Sequence, residues 1–204
     1  MNSVAVHVAV FDTLADWEIG YATAHIRRDS WQREPGRYPV VTVGPSREPV
    51  TTMGGLRVTP DITLAELRPQ DSAMLILAGG DRWDQDSMAA FRAAARRFLT
   101  AGVPVAAICG ATYGLAIEGL LDDRAHTSNA AEYLASSGYA GGDRYVAEPA
   151  VTDGDLITAS ATAPVHFALA IFGRLGLYAP EVAASWFKLY GDRDPAGFFE
   201  LMSV

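Results

Sequence analysis

From Val4 to Phe11 every position except His7 is apolar, and valine recurs at alternate positions. A run this short and this evenly apolar predicts a strand buried on both faces of a parallel sheet. Over 15–30 the spacing of Trp17, Tyr21, Ala24 and Arg28 is helical, with Asp16 and Glu18 at the end where the helix dipole favours acids. A second strand is expected over 37–44. The Gly54-Gly55 pair and Pro60 make 50–67 a short hairpin followed by a turn or brief helix. The run 74–80 is a buried strand ending in two glycines. The pattern of 87–100 predicts a helix with Met88, Phe91, Ala95, Phe98 and Leu99 on one stripe and Arg92, Arg96 and Arg97 on the other.

Residues 103–108 form another apolar run, followed at once by a helical pattern that begins at Cys109. The remainder reads as an extended piece over 126–128, a helix from about Asn129, two antiparallel strands near Tyr145 and over 156–159, and two closing helices over 164–175 and 180–190. Alternating strands and helices with fully apolar strands argue for an α/β, three-layer sandwich around a mostly parallel sheet. No repeat or linker divides the chain, so residues 1–204 are expected to form a single domain of about the usual size.

Composition narrows the function. With 50% hydrophobic and 20% charged residues the chain is apolar enough to fold. Sixteen Lys and Arg against 24 Asp and Glu give a net charge of −8, which repels a phosphate backbone and argues against a nucleic-acid partner. The single cysteine excludes an internal disulfide and a Cys-rich metal site. The opening MNSVAVHVAVF has no basic region or cleavage signal, and no apolar run is long enough to span a bilayer. A cytoplasmic location without membrane association is expected, and no metal or cofactor is called for.

In open α/β sheets ligands bind beyond the carboxyl ends of the strands, where Cys109 lies. A thiol at a strand-to-helix turn sees the positive end of the helix dipole and free backbone N–H groups, an environment expected to lower its pKa and favour the thiolate nucleophile. Glu18, in the helix after the first strand, can project across the same sheet edge to hydrogen-bond the sulfur or relay its proton. Gly79 and Gly80 close a buried strand and can bring N–H groups close to a substrate oxygen. Trp17 and Trp83, flanking these segments, are expected at the rim of a small, partly apolar pocket suited to a compact electrophile. His7 and His166 are expected to be structural.

The segment Val-Ala-Ala-Ile-Cys109-Gly-Ala-Thr-Tyr-Gly-Leu-Ala and the following Gly119-Leu-Leu-Asp-Asp-Arg124 resemble the nucleophile elbow of the ThiJ/PfpI superfamily. That superfamily includes the parkinsonism-associated deglycase, PfpI-type peptidases and isonitrile hydratase. Leu77-Ala-Gly-Gly80, Glu18 and the late Asp153-Gly-Asp-Leu-Ile-Thr-Ala-Ser160 extend the resemblance along nearly the whole chain. It implies a flavodoxin-like fold, Cys109 as nucleophile, Glu18 as its carboxyl partner, and the N–H groups of Gly80 and Gly110 as an oxyanion site. Many members carry Thr-Thr-His shortly after the elbow helix. Here Asn129 stands at the histidine's place and His126 lies three residues earlier, so both are candidate pocket residues and Asn129 is expected to face the thiol. Class I glutamine amidotransferases share the fold but need a late His-Pro-Glu. Pro164-Val-His-Phe167 lacks the acid, which disfavours a glutaminase.

The resulting expectation is a cysteine-dependent hydrolase or hydratase acting on a small amide, isonitrile or reactive carbonyl. The alternative is a non-catalytic redox or stress-response protein whose Cys109 is oxidised to a sulfinate. A homodimer is expected by resemblance, with Trp186 and Phe187 as apolar residues that one domain leaves uncovered.

Overall fold

The computed structural model describes residues 3–204, so the first two residues of the opening stretch read for a leader signal lie outside the described residues. The chain runs β1 (Ala5–Ala9), α1 (Asp16–Arg27), β2 (Val40–Gly44), the hairpin strands β3 (Val50–Thr51) and β4 (Arg57–Val58), then β5 (Ile62–Thr63) and β6 (Ser72–Leu77). It continues with α2 (Ala89–Thr100), β7 (Val105–Ile108), α3 (Gly110–Ile117), α4 (Ala131–Ala135), β8 (Ala150–Asp153), β9 (Leu156–Ala159), α5 (Pro164–Leu175), α6 (Pro180–Tyr190) and α7 (Ala196–Met202).

The main sheet has the order β5-β2-β1-β6-β7-β9-β8, parallel throughout except where β8 runs against β9. Without its two edge strands, this is the doubly wound flavodoxin-like order, whose direction reverses between β1 and β6. Because side chains alternate across a strand, successive residues feed opposite layers. Leu75, Leu77, Val105 and Ala107 join Phe91, Phe98 and Leu115 on one face. Met74, Ile76, Ala106 and Ile108 join Ile26, Phe167, Phe172 and Trp186 on the other. Strands apolar at every position are thereby explained, since each face carries helices.

Several expectations are corrected. The antiparallel partner of β9 is Ala150–Asp153; Tyr145 makes only an isolated parallel bridge to His126. A third helix, α7, follows the two expected at the end. Arg92 is buried, because its guanidinium reaches the carbonyl oxygens of Trp83 and Gln85 at 3.0 and 2.8 Å and pairs with Glu118. Trp186 is wholly buried by packing against Phe172, Tyr190 and His25, and Phe187 is only partly exposed. The large apolar side chains left in the open near this end are Phe198, Phe199 and Met202 of α7.

His25 of α1 is a buried imidazole enclosed by Trp31, Phe172, Trp186 and Tyr190. Its Nε2 accepts the Trp186 indole N–H at 3.2 Å, so Nδ1 carries the proton and faces the Tyr178 hydroxyl at 3.3 Å. Burial, helped by the positive charge of Arg28, pushes its pKa down to about 4. A folded-state value below the unfolded one means that the stabilisation is complete above the ordinary histidine pKa and is lost as pH falls toward 4. Over that window the loss is roughly 3 kcal/mol. Urea unfolding of wild type and His25→Phe at pH 7.5 and 4.5 should show the wild type losing that much more on acidification. Parallel losses in the two proteins would refute the assignment.

Candidate active site

The carboxyl ends of β1, β6 and β7 converge at the strand-order reversal. After β7 the backbone turns through Cys109 with φ 58° and ψ −124°, a conformation strained for a residue bearing a Cβ. The strain is held by the Cys109 N–H, which donates to Ala159 O at 3.0 Å, and by the Thr112 hydroxyl, which donates to Cys109 O at 2.6 Å. Ser128 in turn bonds the Thr112 hydroxyl at 2.7 Å. The result is a nucleophile elbow that sets the sulfur above the N-terminus of α3, partly exposed.

Glu18 is completely buried although it lies in the first turn of α1. Its Oε2 accepts the Gly79 N–H at 2.5 Å, while Oε1 has no hydrogen-bond partner among the described residues. The carboxyl lies beside the Cys109 thiol, the two flanking the same side of Gly79. A Cβ at Gly79 would fall 2.7 Å from both Glu18 Oε2 and Cys109 Cβ and 2.9 Å from Sγ, so only glycine lets the three approach. Gly79 is therefore the holder of the carboxylate and not an oxyanion donor, because its N–H is already engaged. The Gly80 N–H has no acceptor among the described residues, and the Gly110 N–H opens α3 next to Cys109.

The electrostatics reverse the expectation of a depressed thiol pKa. Burial, then the negative charge of Glu18, push Cys109 up to about 11, against which the N–H donors of Asn129 and Gly110 pull. Burial likewise pushes Glu18 up to about 7, opposed by the Gly79 N–H and the neighbouring Cys109 thiol. The short helix behind the thiol is outweighed by a carboxylate in contact with it. Between those two pH values the pair holds a single proton, which belongs to the pair rather than to either group.

The structure brings Asn129 to the sulfur and takes His126 away. Asn129 Oδ1 accepts the Ala161 N–H at 2.9 Å, which turns its amide NH₂ toward Cys109 Sγ at 3.4 Å. His126 is fully buried between Arg124 O and the Tyr139 hydroxyl, at 2.8 and 2.9 Å, with Tyr139 and Tyr145 packed around its ring. It is thus removed from the list of pocket residues: an odd offset along an extended segment turns the two side chains to opposite sides.

Trp17 stands half-exposed near this edge, its indole N–H reaching Ala161 O at 3.4 Å. Trp83 does not form a rim. Its ring lies on Gly110 and Gly114, where a Cβ would come within 3.0 and 2.4 Å, and its N–H donates to Ala78 O at 2.9 Å. Only 2% exposed, it underlies a cleft of about 400 Å³ whose walls are Gly80, Asp81, Asp84, Tyr113, Tyr133 and Ser136. The pocket is therefore more acidic than the partly apolar one expected. Asp81, Asp84, Thr112 and Tyr113 follow the glycine pair and the cysteine in sequence, but which of their side chains turn to the cleft is set by the fold; Tyr133 and Ala161 come from remote segments. Among the described residues no group of three His, Cys, Asp or Glu side chains is arranged to hold a metal ion.

An α/β protein with a cysteine on a nucleophile elbow and a buried carboxyl against it defines the class. Residues 3–174 match the model of the DJ-1/PfpI family, and the chain belongs to that family. It is 40% identical to YoaZ of Bacillus subtilis (strain 168), named an uncharacterized protease, over 100% of this chain and 99% of that protein. The crystal structure of a ThiJ/PfpI family protein from Bacillus anthracis superposes with a TM-score of 0.93 at 38% identity, covering 100% of this chain and 97% of that one. A DJ-1 superfamily protein from Agrobacterium tumefaciens gives 0.81 at 36% identity, over 93% and 99% of the two chains.

Proposed function

We propose that this protein is a cysteine-dependent hydrolase or hydratase that acts on a small amide, isonitrile or reactive carbonyl through Cys109. The observation that carries the reading is the placement of the buried Glu18 carboxyl beside the elbow thiol across Gly79, which sets a proton acceptor next to a nucleophile. The protease name of YoaZ fits the amide branch of this chemistry.

For a carbonyl substrate, the shared proton resides on Glu18 as sulfur forms its bond to the carbon, and the carbonyl electron pair moves onto oxygen. The N–H groups of Gly80 and Gly110 are the donors at hand for that charge. With an amide, collapse of the adduct expels the amine, which takes the proton from Glu18 and leaves a thioester. Water then attacks with Glu18 again as base and returns the thiol. Asn129 donates to sulfur and, having no proton acceptor of suitable basicity, orients rather than titrates.

The test is the pH dependence of Cys109 alkylation by iodoacetamide in wild type and Glu18→Gln. The wild type should show a limb near pH 7, reporting the first proton lost by the pair, and a second at much higher pH. Glu18→Gln should lose the lower limb, and its thiol titration should move down because the neighbouring charge is gone. Superimposable profiles would refute the shared-proton site.

A further inference from the structure

We propose that the cleft that starts at Gly80, one residue beyond the glycine packed on Cys109, receives the cationic end of the substrate, an ammonium or guanidinium group set between Asp81, Asp84 and the rings of Tyr113 and Tyr133. The inference rests on Cys109 as the nucleophile and names the class of electrophile it would meet. Asp81 and Asp84 are exposed at the cleft, and neither carboxylate is taken up by an ion pair or hydrogen bond among the described residues. No Lys, Arg or His lines it. Arg82, between the two acids in sequence, is exposed and outside the lining. Arg92 lies beneath, occupied by Glu118 and by the carbonyl oxygens of Trp83 and Gln85.

Those same bonds fix the loop that carries both acids. At its other end the Asp81 N–H donates to the Thr13 hydroxyl at 3.2 Å. A fixed backbone keeps the two acids on one wall of the cleft, so a cation need order only their side chains. The tyrosine rings, with centroids 5.1 Å apart, offer the electron-rich faces that attract ammonium and guanidinium groups. Tyr133, whose hydroxyl burial pushes up to about 12, keeps its proton and presents a neutral ring beside the acids. A carboxylate substrate would instead meet the two like charges of Asp81 and Asp84.

Because Cys109 is the sole cysteine, charged thiol reagents report the field directly. The 2-aminoethyl and 2-sulfonatoethyl methanethiosulfonates each form a mixed disulfide with the thiolate and release methanesulfinate. Their rate ratio, divided by the same ratio for free 2-mercaptoethanol, cancels the intrinsic reactivity of the reagents. At low ionic strength the cationic reagent should be favoured about tenfold, with a loss of about threefold in each of Asp81→Asn and Asp84→Asn. Asp84→Lys should shift the preference toward the anionic reagent. Glu18 is unchanged in all of these variants, so their differences isolate the cleft acids. A normalised ratio near one, or one unmoved by the Asp variants, overturns this inference and leaves the nucleophile reading standing. Failure of both reagents to modify Cys109 overturns the two together.

Discussion

Cys109→Ser should reduce turnover of any small amide, isonitrile or carbonyl substrate by on the order of 10³-fold or more, because a serine hydroxyl at this elbow has no base strong enough to activate it. Glu18, even pushed up to about 7, is far too weak an acceptor for an alcohol proton, though it is matched to a thiol that shares its proton. The fold should be untouched. The replacement is close to isosteric, the backbone at φ 58° is the same for both residues, and the new hydroxyl finds Glu18 and Asn129 within reach. Turnover on a substrate panel, with thermal melting alongside, checks both halves. Retention of substantial activity by the serine variant would remove the thiol from the chemistry.

Gly79→Ala should be nearly as damaging, although it removes no functional group. The added methyl would sit 2.7 Å from Glu18 Oε2 and from Cys109 Cβ, well inside van der Waals contact, so the carboxyl or the elbow must shift. Neither can yield freely: Glu18 is fully buried, and Cys109 is tied to Ala159 and Thr112. Overpacking of this kind costs about 1–3 kcal/mol of stability. Displacement of the reacting pair by about 1 Å costs on the order of 10²-fold in rate. Gly173→Ala is the control, since its methyl would meet nothing within 4 Å on the exposed side of α5, and it should leave the melting temperature equal or higher. Equal activity and equal melting in the Gly79 and Gly173 variants would show that the close approach is not required.

The linear pattern carried the architecture a long way. Runs such as 103–108, apolar at every position, announce strands covered on both faces, and the abrupt change to helical spacing at Cys109 marks the elbow. What the pattern missed was short or irregular. β5 has two residues at the sheet edge, too few for a period to register, and α7 follows a turn after the expected final helix. Arg92 is grouped by the helical projection with Arg96 and Arg97, opposite the apolar stripe. Its burial depends on carbonyl oxygens and on Glu118, groups that a helical projection does not contain.

The site divides in the same way. The alternation of strands and helices, the placement of Cys109 at a strand-to-helix turn, and the glycine pair after β6 are legible along the chain, since each follows from the period and identity of neighbouring residues. Tertiary structure decided the sign of the thiol shift, the choice of Asn129 over His126, the burial of Trp83 and the acidic lining of the cleft. Those properties depend on through-space distances between segments as remote as Glu18 and Gly79, or Asn129 and Ala161. A carboxylate in contact with a thiol outweighs a short helix, and a backbone N–H from another loop decides which way an amide points.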